Sequence, residues 1–334
     1  MNLVNSELSP LLDVRGISKQ FPVGVFYHAR RVHAVEDVSF TVQSGQVVAL
    51  VGESGSGKTT TIRMIARLIP VTQGQIFFKG RDILKSEPNQ ASLEYRRKVQ
   101  LIFQDPFSSL NAVHTIEHHL ARPLIIHRKV SGRQEIHDRV CDLLETVELK
   151  PAAEIANRYP HQLSGGQRQR VAIARALAVD PELILADEPI SMLDVSIRMG
   201  VLNLMERLKL ERGISYVYIT HDLASARYIG DQIMVMYAGH MVEGGESEAI
   251  MQNAAHPYTR LLLSAVPDPR SGLRTDKGAQ ARGEVPSLID PLPGCPFAAR
   301  CTKVLDVCRQ SMPGQTSLVP GHWVRCHLYG SGTK

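Results

Sequence analysis

The feature that most constrains the fold is a glycine-rich turn placed directly after a short apolar run. Residues 47–51 read VVALV, which is typical of a buried strand, and residues 52–60 read GESGSGKTT. Ile62, Ile65 and Leu68 follow at helical spacing. The pattern G-x-x-x-x-G-K-[ST] between a strand and a helix predicts a loop whose backbone N–H groups bind phosphates. The alternative, a turn that binds nothing, is disfavoured by this strand-and-helix context.

Each residue type in this phosphate loop has a chemical use. Glycines let the backbone curl inward, and the start of the following helix adds partial positive charge. Lys58 can reach the β- and γ-phosphates, and the Thr59 hydroxyl can bind Mg²⁺. We therefore predict a nucleotide site made of Gly52, Glu53, Ser54, Gly55, Ser56, Gly57, Lys58, Thr59 and Thr60.

A nucleotide site that binds Mg²⁺ also needs acidic side chains, and a second motif supplies them. Residues 183–189 read LILADEP, an apolar strand pattern that ends in Asp187 and Glu188. Asp187 suits the Mg²⁺ shell, and Glu188 suits the base that deprotonates an attacking water. A pair of solvated acids is the alternative, and the phosphate loop upstream favours the functional interpretation.

Strand and helix patterns alternate along much of the chain. Residues 214–220 read ISYVYIT, which is typical of a strand, whereas residues 134–149 predict a helix. The predicted apolar face of that helix comprises Ile136, Val140, Leu143, Leu144 and Val147, and Cys141 beside it is expected to pack in the core. The alternation predicts an α/β fold with a largely parallel sheet covered by helices.

Charge and hydropathy exclude several classes of protein. Lysine and arginine number 38 and acids 33 among 334 residues, and the basic residues are scattered, which disfavours a nucleic-acid binder. No apolar run approaches the ~20 residues that span a bilayer. The start of the sequence, MNLVNSELSP, lacks the pattern of a signal peptide. The sequence therefore predicts a cytoplasmic protein.

Six motifs then occur in a fixed order: GESGSGKTT, FQDP, LSGGQRQR, LILADEP, SMLD and ITHD. Over residues 11–247 the chain resembles the ATP-binding cassette of ABC transporters. The resemblance implies a P-loop NTPase with a RecA-like core, an antiparallel β subdomain and an inserted helical subdomain at about 86–165. It also implies ATP and Mg²⁺ as ligands, and ATP hydrolysis coupled to transport across a membrane.

In such cassettes two subunits face each other head to tail, with each ATP held between the phosphate loop of one and the LSGGQ signature of the other. The signature segment (residues 163–170) would then bring Ser164, Gly165, Gly166 and Gln167 to the partner's nucleotide. We expect Arg168 and Arg170 to be solvated or structurally paired rather than to act on it.

Further positions carry over from the resemblance one at a time. Gln104 matches the glutamine that contacts Mg²⁺ or the water and senses the membrane subunit, and Asp194 matches the loop that crosses to the partner's site. His221 matches the switch histidine expected near the γ-phosphate. The implied catalytic residues are thus Glu188, His221, Gln104 and Lys58, and the implied Mg²⁺ ligands are Thr59, Gln104 and Asp187.

Two details of the cassette stay open. Phe21 lies where relatives carry the aromatic residue that stacks on adenine, and Phe26 and Tyr27 in a nearby insertion are alternatives. Met192 replaces a residue that is more often small in the family. Because methionine repacks readily, this departure concerns the fit between two cassettes rather than the acids.

The C-terminal part resembles the extension found in the oligopeptide, dipeptide and nickel importer branch, through HPYTRLLLSAVPDP and GCPFAARC. The implied partners are a second ATPase, unlike or identical, two permeases and an extracytoplasmic solute-binding protein. The implied location is the cytoplasmic face of the inner membrane, and the cargo stays open among peptides, nickel chelates and sugars. His256 in HPYT is interpreted as a helix-entry packing residue rather than a metal ligand.

Four cysteines crowd the end of the chain: Cys295, Cys301, Cys308 and Cys326. Four thiolates can hold a [4Fe–4S] cluster or zinc, and unliganded structural thiols are the third possibility. The resemblance to family members with a cluster implies [4Fe–4S]. The predicted organisation is a tail at 1–10, the cassette at 11–247 and a cysteine-rich extension at 248–334.

Two other functions compete with transport. One is a soluble ABC ATPase of DNA repair or translation, but the long heptad insertion and the tandem cassettes of those classes are missing from the sequence. The other is an iron–sulfur regulator that binds ATP without turnover, which Glu188 and His221 disfavour.

Overall fold

A computed structural model describes residues 9–24, 30–105, 109–265 and 286–330. Phe26 and Tyr27, Pro106 of the FQDP motif, and residues 266–285, which include the end of HPYTRLLLSAVPDP, lie outside the described residues. The chain divides into two compact units. The first unit comprises residues 1–43, 47–88 and 220–334, and the second comprises residues 44–46 and 89–219.

The strands are, in chain order, β1 (Leu12–Val23), β2 (Arg30–Val42), β3 (Val47–Val51), β4 (Gln73–Phe78), β5 (Arg81–Asp82), β6 (Val99–Ile102), β7 (Leu183–Asp187), β8 (Ser215–Thr220), β9 (Gln232–Tyr237), β10 (His240–Glu246), β11 (Gln315–Val319) and β12 (His322–Arg325).

The α-helices are α1 (Lys58–Ile65), α2 (Ile83–Ser86), α3 (Leu93–Lys98), α4 (Ile116–Ile126), α5 (Arg133–Thr146), α6 (Ala152–Ala156), α7 (Gly165–Leu177), α8 (Val195–Arg212), α9 (Leu223–Ile229), α10 (Ser247–Asn253) and α11 (Pro257–Ser264). Short 3₁₀ turns occupy Pro160–Gln162, Asp306–Arg309 and His327–Tyr329.

The first unit contains an antiparallel sheet in the order β2-β1-β4-β5 and the strands that carry the phosphate loop. β3 is entirely buried and pairs in parallel with β9, in a register that sets Val48 opposite Gln232 and Val51 opposite Val235. β10 pairs antiparallel with β9 and with β12. The apolar run of β3 is thus a buried strand, as its sequence predicts, and the phosphate loop begins where this strand leaves the core.

The second unit contains β6, β7 and β8 as a parallel ladder. All five residues of β7 are buried, so the strand delivers Asp187 from the core to its own carboxyl end. Of the predicted apolar face, helix α5 buries Val140, Leu143 and Leu144, and Val147 just beyond it is buried too, whereas Ile136 is half-buried. Cys141 is only half-buried, so the prediction that it packs in the core is wrong.

Other local predictions also need correction. Helix α1 ends at Ile65 because Arg67 adopts a left-handed conformation (φ 59°), and Leu68 is therefore 57% exposed rather than on the buried face. The strand ladders are mixed: β3–β9, β6–β7 and β7–β8 are parallel, whereas β9–β10 is antiparallel and the C-terminal extension adds the antiparallel hairpin β11–β12 to β10. None of the helices that the structure describes has both the length and the apolar character needed to cross a membrane.

Candidate functional site

The phosphate loop is built from glycines that no other residue replaces easily. Gly57 precedes α1 with φ 100°, and a Cβ there would lie 2.5 Å from the Ala34 carbonyl oxygen. Gly55 has φ 78° at an exposed position with no neighbouring atom within reach of a Cβ. The close approach to Ala34 thus requires glycine at position 57, and the backbone conformation alone requires it at position 55. The loop follows β3 as a curl closed against β2.

Lys58 lies inside this curl. Its side chain is buried, and Nζ donates to the carbonyl oxygens of Gly52 (2.8 Å) and Glu53 (2.9 Å). A buried ammonium group needs such partners, because burial without them costs several kcal/mol. The loop therefore holds its own positive charge at the start of α1, close to the N–H groups that suit an anion.

Glu53 of the phosphate loop contacts residues that sequence reasoning did not single out. Its backbone N–H donates to the Tyr258 hydroxyl oxygen (2.8 Å), and its carboxylate accepts two hydrogen bonds from Arg300 (2.8 and 3.0 Å). This ion pair raises the pKa of the Arg300 guanidinium above its usual value. Both partners belong to the C-terminal extension, and no local sequence pattern marks Arg300 beyond its place beside Cys301.

In the second unit the structure brings two predicted residues together. The Gln104 side chain, just after β6, donates through Nε2 to Glu188 Oε2 at 3.2 Å. Glu188 has φ 43°, a conformation that costs a non-glycine residue free energy and that often occurs at functional sites. Ser191 fixes the Glu188 carbonyl oxygen through both its N–H (3.1 Å) and its hydroxyl (2.9 Å).

Asp187 is the last residue of β7 and is 4% exposed. It lies opposite Ile219 in the parallel ladder with β8, and the Glu188 N–H donates to the Ile219 carbonyl at 3.1 Å. Strand β8 therefore fixes the backbone at both acids. The Asp187 side chain is buried, and the Glu188 side chain is half-buried.

The signature segment forms a capped helix start. The Ser164 hydroxyl accepts from the Gln167 N–H (3.3 Å), and Gln167 Oε1 accepts from the Ser164 N–H (3.0 Å), which is a capping box. Gly165 and Gly166 lie in the first turn of α7, where helix N–H groups have no partner within the helix. The segment can therefore present N–H donors to an outside group.

The two signature glycines differ in their surroundings. A Cβ at Gly166 would lie 2.5 Å from Ile197 Cγ2 of α8, whereas one at Gly165 would meet only Leu193 Cδ2 at an ordinary 3.7 Å. Close packing of two helices therefore explains Gly166, and packing does not explain Gly165.

The two signature arginines are structurally paired, as predicted. Arg168 Nε donates to the Leu163 carbonyl (3.0 Å), and Arg170 binds the Val147 carbonyl (2.7 Å) and Glu148 (2.6 Å). The Arg170 contact, with help from Arg207, lowers the pKa of Glu148. These cations stabilise the helical region locally.

Asp194 and Met192 lie at the exposed start of α8. Asp194 occupies the N-cap position, but its side chain makes no capping hydrogen bond, and Met192 is 57% exposed. Both side chains therefore face outward from the second unit, where the departure from the family pattern at Met192 changes its surface.

His221 and Phe21 belong to the first unit. His221 is exposed directly after β8, and Asp222 beside it caps α9 by accepting from two backbone N–H groups. Phe21 lies on β1 opposite Val32 and is 37% exposed, with the Lys19 ammonium 4.9 Å from the centre of its ring. Phe21 is therefore accessible to a flat ligand.

His256 is a structural residue, as predicted. It is 1% exposed, and Nδ1 accepts from the Tyr258 N–H (3.0 Å) at the start of α11. Burial lowers its pKa to about 4, so the ring is neutral at pH 7. The backbone N–H of His256 donates to the Glu243 carboxylate at 2.9 Å.

None of the four C-terminal cysteines forms a disulfide. Burial, with smaller contributions from the charges of the other three thiolates, raises the pKa of the Cys295 thiol to about 12. Within the described ranges, no three His, Cys, Asp or Glu side chains are grouped so as to hold a metal ion. The arrangement therefore does not support the cluster that the resemblance implies.

The family models match two stretches of the chain. The model "ABC transporter" covers residues 35–191, and the model "Oligopeptide/dipeptide transporter, C-terminal region" covers residues 242–308. The first match spans the phosphate loop, the signature segment and both acids. The second includes Arg300 and three of the four cysteines.

Curated relatives match along nearly the whole chain. The dipeptide transport ATP-binding protein DppF of Haemophilus influenzae is 43% identical over 96% of this chain and 97% of its own length. The oligopeptide transport ATP-binding protein AppF of Bacillus subtilis is 42% identical over 98% of this chain and 100% of its own length.

Among solved structures, the ATP-binding cassette MJ0796, described as a dimer in a post-hydrolysis state bound to ADP and Pi, is 30% identical. It covers 71% of this chain and 98% of its own, with a TM-score of 0.62. The predicted fold class, an α/β P-loop NTPase of the ABC type, is confirmed. The chain belongs to the ABC transporter family, as an ABC ATPase in the branch of dipeptide and oligopeptide transport ATP-binding proteins.

Proposed function

We propose that this ATPase powers the import of dipeptides or oligopeptides through membrane partners. Relatives whose names state dipeptide or oligopeptide transport match it from end to end, which favours peptides over nickel chelates and sugars. These relatives disfavour a soluble repair or translation ATPase, and also an iron–sulfur regulator without turnover.

The observation that carries the catalytic part is the pair formed by Gln104 and Glu188 at the end of β7. A half-buried carboxylate in a strained conformation, hydrogen-bonded to an amide that can also orient water, is suited to general-base catalysis. In our proposal Glu188 takes a proton from the water that attacks the γ-phosphate. Gln104 positions that water and responds to the membrane subunit.

The phosphate loop is proposed to bind the triphosphate through residues 52–60. Lys58 would exchange its bonds to loop carbonyls for bonds to phosphate oxygens, and Phe21 would stack on adenine. The hydroxyl of Thr59, the Gln104 oxygen and the buried Asp187 carboxylate are the hard oxygen ligands that suit Mg²⁺. When bound, the ion would neutralise phosphate charge.

We further propose that two cassettes pair head to tail, as an analogy with the dimeric MJ0796 cassette. Ser164, Gly165, Gly166 and Gln167 would then act on the nucleotide of the partner subunit, where N–H donors stabilise developing negative charge. Asp194 would cross to the same site, and His221 would contact the γ-phosphate.

The proposed assembly contains a second ATPase subunit, unlike or identical, two permeases and an extracytoplasmic solute-binding protein. Its ATPases would lie against the cytoplasmic face of the membrane. The sequence from Gln104 to about residue 111 would transmit closure of the cassettes to the permeases.

The [4Fe–4S] cluster that the resemblance implies for the four C-terminal cysteines is a separate proposal, and it includes no catalytic step. Backbone N–H groups of Phe297, Lys303 and Leu328 hydrogen-bond to the sulfurs of Cys295, Cys301 and Cys326, an arrangement that also suits bound thiolates. Iron, sulfide and zinc analysis of protein purified without oxygen separates [4Fe–4S], zinc and unliganded thiols.

The test of the catalytic proposal is Glu188→Gln in the complex reconstituted with its permeases. Turnover should fall by roughly 10²–10⁴-fold while ATP stays bound, because a lost general base costs about this factor. Glu154→Gln, which changes a glutamate with 66% of its side chain exposed in the same unit, is the matched control and should keep normal turnover. Normal hydrolysis by Glu188→Gln would show that another group is the base.

A further inference from the structure

One arginine of the C-terminal extension contacts a side chain of the phosphate loop. Arg300 donates from Nη1 to Glu53 Oε2 (2.8 Å) and from Nη2 to Glu53 Oε1 (3.0 Å), so the contact is bidentate. Parallel N–H···O bonds of this kind fix both distance and orientation. The two residues are 247 positions apart in sequence, and one of them lies between Gly52 and Ser54 of the phosphate loop.

Arg300 is itself held in place. Its side chain is 9% exposed, and Nη1 also donates to the Tyr237 hydroxyl oxygen (3.2 Å) at the end of β9. The guanidinium carbon lies 5.6 Å from the centre of the Tyr237 ring and 5.8 Å from that of Phe297. A guanidinium fixed on two aromatic rings loses little further freedom when it binds a carboxylate.

A second residue of the extension holds the backbone at the same position. The Tyr258 hydroxyl accepts from the Glu53 N–H, and the Tyr258 ring packs against Tyr237 (4.6 Å between centres) and Phe297 (5.5 Å). Glu53 is therefore bound at its main chain by Tyr258 and at its side chain by Arg300, and both residues pack in one aromatic cluster.

The support behind this cluster is firm. Glu243 of β10 is completely buried and accepts from the N–H groups of Ala255 (2.7 Å) and His256 (2.9 Å), and His322 Nε2 lies 2.8 Å from its carboxylate. This one carboxylate ties α11 and the β11–β12 hairpin to the cassette. The extension is thereby docked independently of the Arg300 contact.

The position of Glu53 matters for nucleotide binding in two ways. Its carbonyl oxygen is one of the acceptors of the Lys58 ammonium, so a shift of Glu53 moves the lysine. Its carboxylate also puts a negative charge into a loop that binds a triphosphate, and an unneutralised charge there would repel the ligand. Arg300 both fixes the position of Glu53 and neutralises its negative charge.

We propose that Arg300 is a positioning residue of the nucleotide site, through which the C-terminal extension sets the ATP affinity of the phosphate loop. This inference rests on the proposed function, because it takes residues 52–60 as the ATP-binding loop. The effector segment is the stretch from Cys295 to Cys301, in which Arg300 binds the Glu53 carboxylate directly and Phe297 packs against Tyr258.

The test is a double-mutant cycle on the full-length chain, with MgATP dissociation constants from calorimetry for wild type, Arg300→Gln, Glu53→Gln and the double variant. Arg300→Gln should weaken binding about ten-fold in the wild-type background, because it leaves Glu53 charged and unpaired. In the Glu53→Gln background the same change should cost less than about two-fold. In the reconstituted complex Arg300→Gln should raise the KM for ATP with kcat unchanged.

Arg325→Gln is the matched control. Arg325 also lies in the extension and binds a cassette carboxylate, Asp37 (2.9 Å), but its partner lies on β2 rather than in the phosphate loop. Arg325→Gln should bind MgATP as wild type does. Arg300→Lys, which keeps the charge without the fork, should lose about three-fold, and it carries the test if Arg300→Gln does not fold.

Equal losses from Arg300→Gln in both backgrounds, or wild-type affinity of that variant, would overturn the inference. Lys58→Ala in the same titrations tests the proposed function separately. If wild type and Lys58→Ala bound MgATP equally, the assignment of the loop, and with it this inference, would fail. Loss of binding in Lys58→Ala beside wild-type binding in Arg300→Gln would overturn the inference alone.

Discussion

The phosphate loop and the signature segment are both glycine-rich turns that start a helix, yet they are built differently. The phosphate loop enters α1 through a left-handed glycine with no side-chain cap, and it closes around its own buried lysine. The signature segment enters α7 through a reciprocal Ser164–Gln167 capping box, with its glycines in the first turn.

The difference indicates what each turn requires. The Lys58 ammonium has partners within the phosphate loop, and Arg300 and Tyr258 hold Glu53, so in our proposal Lys58 exchanges carbonyl partners for phosphate without rebuilding the loop. The signature segment is held by its own capping box, by the packing of Gly166 and by the contacts of Arg170, and the N–H groups of its first turn need a partner from outside that helix. The first turn should therefore govern binding by one chain, and the second should govern events between chains.

The largest expected effect that separates the two turns comes from Lys58→Ala. This variant should lose roughly 100- to 1,000-fold in MgATP affinity, because it removes the partner of buried polar groups as well as a phosphate ligand. Ser164→Ala should bind MgATP as a single chain much as wild type does but should slow turnover in the complex. Calorimetry and ATPase assays measure the two effects, and a large loss of single-chain affinity in Ser164→Ala would break the comparison.

A second effect should appear on acidification and concerns the brace of the phosphate loop. The pKa of His256 is lowered to about 4 in the folded protein, against an ordinary value of 6.5, so the unfolded chain binds more protons between these values. The stability that neutral His256 contributes is present above pH 6.5 and is lost as the pH falls through 4, about 3 kcal/mol in full.

Urea unfolding at pH 7, 6 and 5 measures this loss, with His256→Asn as the control. Asparagine can cap α11 and does not titrate, so the variant should show a shallower pH dependence than wild type. Hydrogen exchange at pH 5 should show α11 losing protection before α7 does. Equal pH dependence in both proteins would mean that other groups control acid stability.

The smallest effect compares the two signature glycines. Gly166→Ala should lower the free energy of unfolding by about 1–3 kcal/mol, because its methyl group would overlap Ile197 of α8. Gly165→Ala should leave stability nearly unchanged, since its methyl group meets only an ordinary contact. Chemical denaturation of both variants measures the difference, and similar losses would show that α7 and α8 pack less closely than described.

The sequence predicts well those elements whose signals are local. Residues 47–51 form a strand as predicted, because an apolar run bounded by polar residues and glycine has few other ways to be buried. Helix α1 is shorter than its apolar spacing suggests, because the left-handed turn at Arg67 depends on contacts of that side chain with the carbonyls of Ile83 and Glu87.

The candidate site divides in the same way. The motifs mark the phosphate loop and the acids, and the structure places Gln104 within hydrogen-bond distance of Glu188. The Arg300 contact with Glu53 joins residues 247 positions apart, and neither their residue types nor their spacing in the sequence predicts it. The sequence analysis does not predict strands β11 and β12, because pairing of β12 with β10 and of β11 with β12, rather than an alternating apolar pattern, makes them strands.

The most direct test of the account is a structure of the Glu188→Gln complex with MgATP bound. We expect the N–H groups of Gly165 and Gly166 within hydrogen-bond distance, about 3 Å, of the γ-phosphate that lies on the phosphate loop of the partner ATPase. A complex loaded with nucleotide in which both glycines lie far from every phosphate would contradict the division of labour between the two turns.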